Sequence, residues 1–88
     1  MKSREILLSD MNLGAWAFPL LKAEGFQSLD DILTAGPTKI CRIKSFKVGC
    51  RRRLVKMIEK RCDELSLKDQ KRASLFIEEM NDNIINYR

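Results

Sequence analysis

The 88-residue chain has no histidine, three cysteines, two prolines, one tryptophan and one tyrosine. Without His it lacks the commonest general base and the commonest metal ligand. Cys41, Cys50 and Cys62 form no CxxC clip, and their odd number argues against a closed disulfide framework. No zinc site and no other cofactor is therefore expected. The thiols are read as reduced, in an intracellular, cytoplasmic setting that leaves the nucleus open. No apolar run approaches the roughly 20 residues of a membrane span. Met1 to Glu5 lead into too few apolar positions before Asp10 for a signal peptide. Strand signals are missing too: there is no alternating run and no Asn-Gly or Asp-Gly hairpin turn.

What is present reads as one small globular domain, with 44% apolar and 33% charged residues. The net charge of +5 is unevenly spread: −2 over residues 1–38, +8 over 39–63 and −1 over 64–88. Such a dipolar layout suits an anionic partner.

The fold class is all-α. Ser3 can cap a first helix through Asp10, with Ile6 and Leu7 inward. After a turn at Asn12 and Gly14, a second helix carries Trp16, Leu20 and Leu21 on its packed side and ends at Gly25. Pro19 predicts that its regular part begins or bends there. Ser28 to Asp31 fit a capping box that opens a short third helix burying Leu29, Ile32 and Leu33. Pro37 suits the first position of a fourth, which buries Ile40 and Ile43. From Cys50, the residues Leu54, Val55, Ile58, Cys62 and Leu65 draw the apolar stripe of a longer fifth helix, leaving Arg51, Arg52, Lys56 and Lys60 outside. A second capping box at Ser66 starts a sixth helix. There Ala73, Ile77, Met80, Ile84 and Tyr87 recur as two heptads, a stripe for packing back on the domain or for association with another helix.

Residues 4–61 resemble a sterile alpha motif (SAM) domain, a five-helix module. The resemblance is carried by Ile6-Leu7 with Met11-Asn12-Leu13, by Trp16, by Leu20 to Phe26 with Ser28 to Leu33, and most specifically by Val48 to Glu59. It implies a compact SAM-like five-helix bundle over residues 1–65, with residues 66–88 as an added amphipathic helix. Where the family often has Leu-Gly-Ile, this chain reads Ile43-Lys44-Ser45-Phe46, and Phe46 is expected to fill the Ile pocket. Lys39 stands where an acidic residue is common. A second resemblance is to the DNA-binding C-terminal domain of the bacterial RNA polymerase alpha subunit, through Leu21-Lys22-Ala23-Glu24 and the helical order. There an Arg and an Asn of the first long helix reach the minor groove, and Trp16 and Pro19 stand at those positions here.

Catalysis is not expected. Asp30 and Asp31 are adjacent, so on a helix they diverge by about 100° and make no working pair. Cys50 stands among arginines at a helix start, a setting in which thiols become reactive, yet no His can complete a nucleophilic site. Family members associate head to tail, and the resemblance implies two surfaces. An end-helix surface would comprise Lys47, Gly49, Cys50, Arg51, Arg52 and Lys56, and a mid-loop surface Glu24, Gln27, Asp30 and Asp31. The expected partner is a protein: another SAM domain, an acidic surface or a second copy. The alternative is hairpin RNA on Gly49 to Arg53, and a lesser one is DNA. Neither a small-molecule substrate nor the membrane is an expected partner.

Overall fold

A computed structural model describes residues 6–85 of the chain, with side chains through residue 82. Five helices form an all-α globule: α1 (Gly14–Ala23), α2 (Leu29–Ala35), α3 (Pro37–Cys41), α4 (Val48–Arg61) and α5 (Leu67–Ile85). Of the first expected helix, residues 3–5 lie outside the described part, and Leu8–Asp10 is a single 3-10 turn. The turn is pinned by strand-like pairing: Leu8 N–H donates to the Gln27 carbonyl at 2.9 Å, and Leu29 N–H to that of Ile6 at 2.8 Å.

Local chemistry explains the helix ends. Gly25, at φ +92°, closes α1, with Phe26 N–H bonded back to the Leu21 carbonyl (3.1 Å) and Gly25 N–H to that of Lys22 (3.0 Å). That pair is a Schellman motif, which needs the left-handed residue only Gly adopts freely. The capping box of α2 is complete: Asp31 N–H donates to Ser28 Oγ (3.3 Å), and Ser28 N–H to the Asp31 carboxylate (3.2 Å). Gly36, at φ 88° and ψ 159°, turns the chain into α3, whose first residue is buried Pro37. The expected box at Ser66 is half made. Asp69 N–H bonds to Ser66 Oγ (3.3 Å), while the Asp69 carboxylate accepts from Arg72 (3.0 Å).

Pro19 neither starts nor interrupts α1, which begins five residues earlier and runs through it. The proline only withholds the N–H that would have reached the Ala15 carbonyl. The buried line of α1 is Leu13, Ala17 and Leu21, with Leu20 at its edge. Trp16 lies about 100° around the helix from Ala17 and is 81% exposed, against the expectation that it packs inward.

One core joins all the helices, from Ile6 and Leu8 through Leu21, Ile32, Phe46, Leu54 and Ile58 to Ala73, Phe76 and Met80. Phe46 is buried within it. The helix α5 packs against α4, α3 and α2, so the break near residue 65 does not separate two cores. Ala73 and Met80 are fully buried there, which removes them from any surface for association; Tyr87 lies outside the described residues, as does the side chain of Ile84. No helix among the described residues is long and apolar enough to cross a membrane.

Candidate partner-binding groove

The basic segment does not present all its charge to solvent. Arg51 stands three, four and seven residues before Leu54, Val55 and Ile58, on their stripe, and it is 6% exposed. Its Nη2 donates to the Cys41 carbonyl at 3.4 Å, placing a cation on the C-terminal end of α3. Burial pushes the Cys41 thiol up, against the opposing pull of the Arg51 charge. Arg53 donates from Nε and Nη2 to the Asn12 carbonyl (3.2 and 3.0 Å), and Arg61 from Nη1 to that of Asp10 (3.1 Å). Three arginines thus stitch α4 to the chain around it. The expected end-helix surface loses Arg51, while Lys47, Gly49, Arg52 and Lys56 remain exposed and Cys50 half-exposed.

That surface borders an open groove of about 910 Å³. One wall is α1, with Ala15, Trp16, Pro19 and Leu20; the other is the α3–α4 loop and the start of α4, with Lys47, Gly49, Cys50 and Arg53. The wall of α1 is apolar and the opposite rim is cationic. No side chain caps the first turn of α4. A Cβ at Gly49 would meet nothing within 4 Å, and the residue's backbone is not left-handed. Gly49 is therefore not required by the fold itself. Trp16 was missed as a site residue because its size suggested core; the signal was Ala17, a small residue in register with Leu13 and Leu21.

The expected mid-loop surface fares differently. Glu24, Asp30 and Asp31 do meet in a second hollow of about 590 Å³, which Gln27 does not line. Part of its charge is paired within the chain. Asp30 Oδ1 lies 2.8 Å from Arg72 Nη1, and Thr34 Oγ1 accepts from Arg72 Nη2 at 2.9 Å. Those bonds, Asp30 first and Asp69 after it, hold the Arg72 guanidinium above its ordinary pKa. The Asp31 carboxylate is spent on Gln27 and Ser28 N–H groups, and Lys39 lines the same hollow. Of the three acids expected on this surface, Glu24 has no bond inside the cluster, and Asp30 stays largely exposed beside its arginine.

Among the described residues no cluster of His, Cys, Asp or Glu could hold a metal ion. No protein-family model, no curated protein and no solved structure matches the chain.

Proposed function

We propose that this chain is a non-enzymatic protein-binding module that docks an acidic segment through the groove between α1 and α4, in keeping with its resemblance to SAM domains. The carrying observation is Trp16: a large aromatic, 81% exposed, on the apolar wall of a groove with a cationic rim. Aromatic anchors beside arginines are the usual hot spots of interfaces. Lys47 and Arg53 on the rim, with Arg52 and Lys56 exposed elsewhere on α4, would select an anionic partner and speed its encounter, more than deepen its affinity. In the hollow at α2, Asp30 and Asp31 already hold bonds to Arg72 and to backbone amides, which leaves Glu24 as the acid without one.

Trp16 is the only tryptophan, so its fluorescence reports the groove directly. A synthetic helical peptide with Leu among Glu and Asp should shift its emission to the blue at low salt. The shift should weaken as salt rises and need more peptide with Lys47→Glu. An emission maximum that stays put through the titration would refute the reading.

Hairpin RNA is the second reading, and the same residue favours it, because an exposed aromatic beside cations is a stacking platform. RNA would quench Trp16 with a steep salt slope and outcompete single strands. DNA contact after the polymerase pattern loses its two helix donors, since Trp16 and Pro19 hold those positions.

A further inference from the structure

The outer face of α5 supplies the chemistry that the groove asks for. Leu75 is 62% exposed, turned away from buried Ala73 and Met80. Glu78, Glu79 and Asp82 follow it at three, four and seven residues, which sets all of them on one helical stripe with Leu75. All three carboxylates are exposed. Among the described residues Glu78 and Asp82 join no salt bridge, in contrast to Asp30 and Asp69. Two exposed cations, Lys68 and Lys71, precede Leu75 by two turns and one turn on the same face. The C-terminal half of the stripe is therefore an apolar anchor bordered by acids.

We propose that a second copy of this chain occupies the groove, inserting Leu75 against Trp16 while Glu78 and Asp82 meet Lys47 and Arg53 at its rim. This rests on the groove reading given above. The contact is between molecules: Ala73, Phe76 and Met80 hold α5 in its own core, so its outer face cannot fold back into the groove of the same chain. The two surfaces differ, so each copy keeps one of each free. Association then proceeds head to tail, into an open chain unless the geometry closes a ring. The heptad side of α5 serves the core, and its opposite side serves assembly.

Molar mass against concentration, by sedimentation equilibrium at low and at high salt, tests this. The wild-type mass should climb with concentration and fall back as salt rises. Trp16→Ser and Leu75→Ser should each weaken association by about tenfold or more, and Glu78→Lys should act as Leu75→Ser does. All three sites are exposed, so circular dichroism melts should match wild type. Mixing Trp16→Ser with Leu75→Ser is the sharper arm, because each retains the half the other lacks, and a complex of one copy of each should form. A wild-type chain that stays at single-chain mass overturns the proposal, as does self-association untouched by Leu75→Ser. If the acidic peptide still shifts Trp16 emission while the mass stays single, this inference alone falls; if neither happens, the groove reading falls with it.

Discussion

The basic corner of α4 and the acidic hollow at α2 look like a matched pair in the sequence, yet the fold uses them in opposite ways. In the hollow, Arg72 reaches from α5 to Asp30, Asp69 and Thr34, and Asp31 closes the capping box, so charge there serves cohesion. Along α4, Arg51, Arg53 and Arg61 are drawn inward onto carbonyls, while Lys47 stays out at the rim of an open groove and Arg52 and Lys56 stay exposed on the helix. Net charge along a sequence therefore overstates the charge free for binding. Arginine in particular can be structural, because its forked guanidinium satisfies carbonyls that end helices and turns.

Neighbouring arginines give the largest test of that division. Arg51→Glu puts a carboxylate in the core and should cost about 3 kcal/mol or more of stability, read by urea denaturation. Arg52→Glu, one residue on and exposed, should change stability by no more than about 0.5 kcal/mol. Equal losses at the two positions would erase the distinction between inner and outer arginines.

These cases mark what the sequence could and could not disclose. The ends of α1 and α2 and Pro37 at the head of α3 were legible, because each depends on residues within a turn or two. The stripe of α4 was legible as well, and position 51 lies on it. Residue type conceals the spacing there: a guanidinium ordinarily seeks water, and only the fold brings the Cys41 carbonyl to it. Trp16 failed the same way, with bulk outweighing the register set by Ala17. The fate of Asp30 was out of reach, because its partner lies 42 residues away on α5.

The hollow should yield a smaller effect. A double-mutant cycle on Asp30→Asn and Arg72→Met should give a coupling of about 0.5–1 kcal/mol, shrinking with salt, since both groups are partly exposed. A coupling near zero would mean that the acids there are freer than their geometry implies. A linked alkaline effect comes from Cys41. Its folded-state pKa is raised by burial, so the stability it lends is full below the ordinary thiol value and is lost as pH rises toward the folded one. Melting temperature should decline over that alkaline range, and less steeply in Cys41→Ser.

The smallest expected effect has an unusual sign. Arg52, Lys56 and Lys60 repeat every four residues along the exposed side of α4, so each cation faces another one turn away. Like charges at that spacing destabilise a helix by about 0.2–0.5 kcal/mol per pair. Lys56→Glu replaces both repulsions with attractions, and it should therefore raise the melting temperature slightly while weakening capture of an acidic peptide. A protein kept only for its fold gains nothing from three cations in a row; one that docks an anionic partner does. If the variant is less stable, or more stable with binding intact, the row is not a binding surface held at the expense of helix stability.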